Sequence, residues 1–569
     1  MYHNFLTFIY TGFVQTCQGI FAKCPAETTF QRNTMDRKKQ KKRRFFGRTI
    51  QNTLTEFRKY GILTTDIFKM NSSVQEGFLM KRSARLLCLL VALLMVFPLA
   101  SCGGESAAET QNSDISTDTV AAETEPADPL ASLPDADYEG YSFRLNIRND
   151  DRWVKDQIAE ELTGEVVNDA VFKRNSEIMD RYNVAITHTR TSHANSDADA
   201  KANITAGDDA FDLITNHPRQ VHLYGNEGLA LDWHNFKYVD LTKAYWDQDA
   251  AKSFTMPDGG LYCMIGDNSH CSVGATFAML FNKDLFDQHG LDYPYEAVLE
   301  GKWTMDMFLA ISETYANDLD GDGTMGENDL YGYVTHHWVG PIQAFYSSGA
   351  RVIAKDSETY EYDVYSERSL TMYEKYFALL DAPCCSIDKV TSSSFTGDHL
   401  PLFQEGKSFF VDVNLLSVEF LREMDFNFGI IPWPKLDESD THYWSNVDAG
   451  TNLFFVPITA YANQDLISHI LEAMAILGRE YVIPAYYDVA LKTRDSRDEE
   501  SAEMLDIILA NRVFDLGYYN PDFGGAYNSH FSELARGTSE FASWYDSKLK
   551  SSTAQKEKVI EKYLSRAGQ

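Results

Sequence analysis

Short apolar runs recur along the C-terminal part of the chain and are separated by polar, turn-forming stretches. Runs of this length that are rich in β-branched and aromatic residues predict β-strands. The predicted strands are Ser142–Ile147, Val184–Thr189, Phe211–Thr215, Thr276–Asn282 and Asn427–Trp433.

Helical periods lie between and after these strands. In Asn168–Tyr182 the apolar positions, among them Val171 and Ile178, recur on one face, which predicts an amphipathic helix. Longer helical patterns cover Leu466–Tyr481 and Met504–Arg512. Strands that alternate with helices favour an α/β fold with mainly parallel sheets, in which ligands bind beyond the carboxyl ends of the strands.

One apolar segment further upstream has a different pattern. Lys81, Arg82 and Arg85 precede an uninterrupted apolar run from Leu86 to Ala100. As a helix this run would be about 22 Å long, shorter than the roughly 20 residues that a membrane-spanning helix needs. A basic start followed by a short apolar run is typical of an export signal, so we expect residues 80–101 to be a signal peptide.

The signal ends in Leu99–Cys102 (LASC), which resembles the bacterial lipobox. That resemblance implies that Cys102 receives a diacylglycerol group and becomes the mature N-terminus. We expect translation to start at Met80 and residues 1–79 to be an upstream overcall without ordered structure. The basic run Arg37–Arg44, which otherwise suggests a nucleic-acid or membrane patch, would then have no function.

The charge of the chain changes at the same point. Residues 1–101 hold 16 Lys+Arg against 5 Asp+Glu, whereas the whole chain holds 51 against 83 and has a formal net charge of −32. An acidic exported body argues against a nucleic-acid partner, because binding to nucleic acid depends on neutralising phosphates. Residues 102–137 are acidic and poor in apolar side chains, so we expect them to form a disordered tether.

Several motifs in the body of the chain carry a family resemblance. In chain order they are AGDDAFDLI (Ala206–Ile214), LFNKDLFDQHGLDYP (Leu280–Pro294), GKWTMDMF (Gly301–Phe308), FQEGKSFF (Phe403–Phe410), FGIIPWPK (Phe428–Lys435) and PAYYDVAL (Pro484–Leu491). Together they resemble family 1 extracellular solute-binding proteins of ABC sugar importers, the family that includes maltose-binding protein. The resemblance spans roughly residues 138–569.

The resemblance implies a periplasmic-binding-protein-like fold of type II, with two α/β lobes, a hinge and a ligand cleft between the lobes. By analogy the chain first crosses between the lobes near Asn282 and crosses again within Val411–Pro457. Lobe one would comprise residues 138–281 plus 412–456, and lobe two would comprise residues 282–411 plus 457–569.

Candidate ligand-binding residues follow from this analogy, because sugar sites combine aromatic platforms with polar groups of fixed geometry. For each candidate, packing or plain surface stays an alternative. The candidates are Asn216, His217, Arg219, Trp246, His336, Trp338, Asp412, Asn414, Trp444, Tyr527 and His530.

The segment Asp318–Asp329 (DLDGDGTMGEND) has the spacing of a calcium-binding loop. Such a loop takes oxygen ligands at positions 1, 3, 5, 7, 9 and 12, with glycine at position 6. The corresponding ligands are Asp318, Asp320, Asp322, Thr324, Gly326 and Asp329, where aspartate replaces the usual glutamate at the last position. We expect a structural calcium ion here; a solvated acidic turn is the alternative.

These features predict a monomeric lipoprotein on the outer face of the cell membrane. We expect it to capture a carbohydrate, an oligosaccharide by preference, and to deliver it to the permease subunits of an ABC transporter without covalent chemistry. Two alternatives stay open: a surface glycan-active enzyme, either a glycosidase or a lyase, and a calcium-stabilised adhesion module.

Overall fold

The computed structural model describes residues 128–191, 198–355, 359–388, 399–421, 424–491, 499–529 and 541–567. The chain divides into two compact units, Met1–Ala122 and Glu123–Gln569, and every described residue belongs to the second. The predicted signal peptide, the upstream segment and most of the predicted tether therefore lie outside the described residues. Among the described residues, no helix combines the length and the apolar character that crossing a membrane requires.

The strands are β1 Tyr141–Ile147, β2 Val184–Arg190, β3 Leu213–Asn216, β4 Phe277–Asn282, β5 Tyr331–His336, β6 Ile353–Lys355, β7 Tyr360–Tyr362, β8 Cys385–Asp388, β9 Ser408–Asn414, β10 Phe428–Ile431, β11 Ser445–Asn446, β12 Leu453–Phe455 and β13 Arg512–Val513. The helices of the first half are α1 Asp151–Gln157, α2 Val166–Tyr182, α3 Ala198–Ala206, α4 Pro218–Glu227, α5 Gln248–Phe254, α6 Cys271–Gly274, α7 Lys283–His289, α8 Tyr295–Leu299 and α9 Met305–Tyr315. Those of the second half are α10 Val339–Ser347, α11 Glu367–Asp381, α12 His399–Gln404, α13 Gln464–Leu477, α14 Ile483–Leu491, α15 Glu499–Ala510, α16 Leu516–Tyr519, α17 Pro521–Gly524 and α18 Phe541–Ala567.

The first sheet has the strand order β12-β3-β1-β2. Strands β1, β2 and β3 are parallel, and β12 joins the edge antiparallel to β3. On β1, Phe143, Leu145 and Ile147 alternate into the core, and α2 buries Val171 and Ile178 on its apolar face. Parallel strands place their carboxyl ends at one edge of the sheet. The start of β12 lies at that same edge, because Leu453 pairs with Asn216.

The second sheet has the order β10-β4-β9-β5-β8. Strands β5, β8 and β9 are parallel, whereas β4 runs antiparallel to both β9 and β10. A second aromatic core packs against this sheet and includes the fully buried Trp303, Phe308, Phe410 and Trp433. Two sheets of this kind, each covered by helices, confirm the predicted α/β fold with two lobes.

Two adjacent segments of the described residues connect the lobes. The first leads through α6 into β4, and the second runs from β11 to β12. The two segments contact each other through an antiparallel bridge between Thr276 and Val447. The Asp448 N–H also donates to the Ala275 carbonyl at 2.8 Å.

The lobe boundaries expected from the sequence need correction. Strand β4 lies wholly in the second sheet, so the first crossing ends before Phe277 rather than near Asn282. Strand β10 pairs with β4 and thus belongs to lobe two, although it lies within the segment 412–456 assigned to lobe one. Helices α13 and α14 pack on α2 of lobe one, although they follow residue 457.

Candidate functional site

The carboxyl edge of the first sheet brings Arg148, Asn216 and His217 together. Arg148 directly follows β1, and its N–H donates to the Thr215 carbonyl at 3.2 Å. Asn216 ends β3, and its Oδ1 accepts the His217 N–H at 2.7 Å. His217 caps α4, because its Nδ1 accepts the Arg219 N–H at 3.2 Å. This cap fixes the first turn of α4, from which the Arg219 side chain extends.

Across the cleft, Trp338 occupies the corresponding place in the second lobe. It follows β5 and begins α10, and its N–H donates to His336 Nδ1 at 3.1 Å. The guanidinium carbon of Arg219 lies 5.4 Å from the centroid of the Trp338 ring and 5.6 Å from that of Tyr518. Both distances fall within the range of cation–π contact, so Arg219 connects lobe one to lobe two.

Asp448, on the second crossing, completes the arrangement. Its Oδ1 accepts the Gly450 N–H at 2.5 Å, and the Gly450 carbonyl accepts Arg148 Nη1 at 3.1 Å. The Ala449 N–H donates to the Tyr518 hydroxyl at 3.4 Å. These contacts join the crossing to both lobes. We define the cleft cluster as the residues Arg148, Asn216, His217, Arg219, Trp338, Asp448 and Tyr518.

Burial shapes the electrostatics of the cleft cluster. It raises the pKa of the Asp448 carboxyl, although the Gly450 N–H and the charges of Arg219 and Arg148 oppose the rise. Burial also lowers the pKa of His217 well below its usual value, and the two arginines lower it further. His217 is therefore neutral at pH 7. The pKa of Arg148 falls to about 10 for the same reason, so that side chain stays protonated.

Several polar atoms at this edge of the first sheet are buried without a hydrogen-bond partner among the described residues. They are Thr215 Oγ1, Asn216 Nδ2, Arg219 Nε and Nη2, and both side-chain polar atoms of Asn452. Buried polar groups in folded proteins nearly always have partners, which include ordered water and ligands. A set of open donors and acceptors beside two aromatic rings is suited to an oxygen-rich ligand with apolar faces.

Several solved structures are similar to this chain over about three quarters of its length. A cyclo/maltodextrin-binding protein complexed with maltotetraose matches over 74% of this chain and 96% of its own, at 16% identity and a TM-score of 0.46. An ABC substrate-binding protein from Listeria monocytogenes in complex with cycloalternan matches over 75% and 99%, at 13% identity and a TM-score of 0.45. No family model and no curated protein matches the sequence.

The structure brings four of the predicted ligand residues together in the cleft cluster, and it places two others in the core. Trp246 is fully buried, packs against Trp233, and donates from Nε1 to Glu472 at 2.9 Å. Tyr527 is fully buried against Trp544, and its hydroxyl donates to the Tyr545 carbonyl at 2.8 Å. Neither ring has an open face for a ligand.

The remaining predicted residues of the second lobe are not members of the cleft cluster. His336 is buried at the end of β5 and supports Trp338. Asp412 lies in the core beside Thr335, and Asn414 Oδ1 accepts the Ser417 N–H at 3.2 Å. Trp444 directly precedes β11 and stacks on His442, with ring centroids 4.4 Å apart. His530 lies outside the described residues.

The predicted calcium loop folds around its own carboxylates. Asp318, Asp320 and Asp322 each offer an oxygen, and these oxygens lie within 4.8 Å of one another. Asp318 Oδ1 and Oδ2 accept the N–H groups of Gly321 and Gly323 at 2.6 and 2.8 Å. Both glycines have a positive φ, which permits the tight turn.

The last predicted ligand of this loop has a different set of contacts. Both carboxylate oxygens of Asp329 accept backbone N–H groups of the loop, from Leu319 at 2.8 Å and from Gly326 at 2.7 Å. These hydrogen bonds lower the pKa of Asp329, with that from Gly326 contributing most. Asp329 therefore closes the loop, while the carboxylates that converge are those of Asp318, Asp320 and Asp322.

Sequence reasoning missed three members of the cleft cluster. Arg148 had a usable signal, since it directly follows a predicted strand, as Asn216 does. Asp448 lies within the predicted second crossing, but nothing in the sequence distinguished it from its neighbours. Tyr518 comes from a short helix far along the chain, and only the tertiary structure places it beside Arg219.

Proposed function

We propose that this chain is an extracytoplasmic solute-binding protein that holds a carbohydrate between its two lobes. The observation that supports this most directly is the cleft cluster, in which buried, unpartnered polar atoms lie beside the Trp338 and Tyr518 rings at the carboxyl ends of the strands. Sugars present apolar ring faces and many hydroxyl groups, which such a site accommodates.

Binding would be coupled to closure of the lobes. Separating the lobes parts Arg219 from Trp338, which frees the guanidinium on one lobe and the indole face on the other. A ligand that contacts both groups then has a higher affinity for the closed form and shifts the population towards it. In this proposal the closed, loaded protein delivers its ligand to an ABC permease, and the chain carries out no covalent chemistry. A lipid on Cys102 would hold it at the outer face of the membrane.

The proposal predicts saturable binding without turnover. In an oligosaccharide panel monitored by thermal shift and calorimetry, at least one soluble sugar should raise the Tm of the purified chain. Trp338→Ala should weaken that binding by roughly 10- to 100-fold, the range expected when an aromatic stacking partner is removed. The matched control is Trp444→Ala, because Trp444 lies outside the cleft cluster.

Three results would contradict this assignment. Release of a cleaved glycan would favour the enzyme alternative, and binding only to insoluble surface polymers would favour the adhesion module. An equal loss of affinity in both tryptophan variants would show that the cleft cluster is not the site.

We also propose that the loop Asp318–Asp329 binds a structural calcium ion. The convergence of three carboxylate oxygens supports it, since calcium prefers oxygen ligands from a flexible loop. Asp318, Asp320 and Asp322 would hold the ion, with Thr324 and Gly326 nearby in the loop. The ion would neutralise carboxylates that otherwise repel one another.

Calcium should therefore stabilise the chain by mass action. At a free concentration of 100 times the Kd, one site that binds only the folded chain contributes about 2.7 kcal/mol. Calorimetry with calcium and with excess chelator would measure the difference in Tm. Asp320→Asn should reduce the calcium-dependent shift, whereas Asp306→Asn, at an exposed position outside the loop, should leave it intact. The same Tm with calcium and with chelator would refute the site.

A further inference from the structure

The Arg219 side chain is partly buried, and two of its donor atoms are unsatisfied. Its Nε and Nη2 are shielded from solvent and have no hydrogen-bond partner among the described residues. Nor does any carboxylate of the described residues lie within ion-pair distance of its guanidinium. Buried donors without an acceptor are costly, because cation–π contacts on the faces of the guanidinium do not replace the hydrogen bonds that its N–H groups lose with their hydration.

The groups around Arg219 determine which kind of ligand group could accept hydrogen bonds from its guanidinium. The rings of Trp338 and Tyr518 lie over the guanidinium at 5.4 and 5.6 Å, so the remaining N–H groups are on its edge. A guanidinium has donors only, arranged as a planar fork that matches the two oxygens of a carboxylate. The group that satisfies these donors is therefore an acceptor, and an anion with two adjacent oxygens fits the fork best.

The charges in the cleft cluster also favour an anionic ligand. The charges of Arg148 and Arg219 both lower the pKa of Asp448, whose Oδ1 accepts the Gly450 N–H and whose Oδ2 has no hydrogen-bond partner among the described residues. Asp150 offsets part of the Arg148 charge, and Arg152 adds to it. Although the whole chain is strongly acidic, two guanidinium groups share one cleft carboxylate. Hydroxyl groups of a neutral sugar would satisfy the donors, but they would leave this positive charge uncompensated.

We propose that the cleft cluster selects a carbohydrate that carries an anionic group, with Arg219 as the residue that recognises it. This inference rests on the proposed function and adds the ligand class. A uronic acid carboxylate and a sugar sulfate share the required chemistry: oxygen acceptors with negative charge on a ring that can stack on Trp338.

The test uses two ligands with the same sugar rings and different charge: a trigalacturonate and its fully methyl-esterified form. Charge-assisted hydrogen bonds contribute enough that the free acid should bind roughly 10- to 100-fold more tightly than the ester. That preference should shrink at high salt. A sulfated oligosaccharide and its desulfated form make a second arm, and a preference in either arm supports the inference and identifies the anion.

Arg219→Gln should reduce the preference for the free acid to near unity, and Arg219→Lys should restore part of it, because lysine keeps the charge but loses the fork. Arg351→Gln is the matched control, since the Arg351 guanidinium lies over a tryptophan, Trp444, outside the cleft cluster. The Tm of each unliganded variant checks its folding. Equal affinity of the native chain for the charged and the neutral ligand in both arms would overturn this inference and leave the proposed function standing. Absence of binding to any sugar, neutral or charged, would overturn both.

Discussion

Replacing Asp156 with alanine should lower the free energy of unfolding by about 3–5 kcal/mol, because several buried donors would lose an acceptor at about 1–3 kcal/mol each. Asp156 is fully buried on α1. Its Oδ1 lies 2.9 Å from His270 Nδ1, and its Oδ2 accepts from the Ser269 hydroxyl at 2.7 Å and from Gln157 Nε2 at 2.8 Å. Alanine would leave all these groups without their acceptor.

The effect should depend on pH in one direction. Burial by itself raises the pKa of Asp156, but the charge of His270 and the hydrogen bonds from His270, Ser269 and Gln157 bring it below its usual value. A carboxyl with a lowered pKa stabilises the fold above the pKa of the unfolded chain, and this contribution is lost as the pH falls through the folded value. The difference between native chain and variant should thus be largest near neutral pH and shrink in acid.

Urea unfolding of the native chain and of the Asp156→Ala variant at several pH values would measure this difference in stability. Asp135→Ala is a suitable control, because Asp135 is almost fully exposed in its pair with Arg181 and exposed pairs contribute little. A loss no larger than that of the control would show that Asp156 does not anchor the segment. Since Ser269 and His270 lead directly into the first crossing, a large loss would identify this network as the support of the hinge.

Local sequence patterns were sufficient to predict many of the strands and helices. The alternation in Ser142–Ile147 and the unbroken apolar run Thr276–Asn282 each predicted a strand within one residue of its observed ends. The amphipathic face of α2 was equally clear. In these segments burial is decided by neighbours in sequence, so the pattern carries the information.

The crossings and lobe boundaries could not be predicted in the same way. The apolar pattern of strand β10 would suit either the first or the second sheet. Only its pairing with β4 shows that it belongs to the second sheet. Helices α13 and α14 return to lobe one after β12 because their apolar faces meet α2, a partner almost three hundred positions earlier in the chain. Such long-range choices leave no local signal.

The candidate site residues divide in the same way, into those that the local sequence indicates and those that only the tertiary structure identifies. Asn216, His217 and Arg219 were predicted because ligands bind beyond the carboxyl ends of the strands in this type of sheet, and the structure places all three at that edge of the first sheet. Trp246 and Tyr527 were chosen as aromatic platforms, but an aromatic residue packs in the core as readily as it binds a sugar. Burial, which the sequence does not reveal, separates the two roles.

Replacing Asp412 with asparagine should stabilise the chain above neutral pH by up to about 4 kcal/mol. Asp412 is fully buried on β9; its Oδ2 accepts from Thr335 Oγ1 at 3.0 Å, and its Oδ1 has no hydrogen-bond partner among the described residues. Burial raises its pKa from 3.8 to about 7, although the Thr335 hydroxyl opposes the rise. The native fold thus holds a proton that the unfolded chain releases between these two values.

Stability of the native chain should accordingly fall as the pH rises from about 4 to about 7, because the folded state binds more protons than the unfolded state across that window. Asparagine cannot ionise and removes this dependence, so the variant should match the native chain near pH 4 and exceed it at pH 8. Asp425→Asn, at an exposed position, should leave the pH profile unchanged. A variant less stable than the native chain at every pH would show that the ionised Asp412 carboxylate is satisfied within the fold.

Because Asp412 lies outside the cleft cluster, the Asp412→Asn variant should keep its affinity for the sugar. This result would separate a role in the core from the ligand contact expected from the sequence.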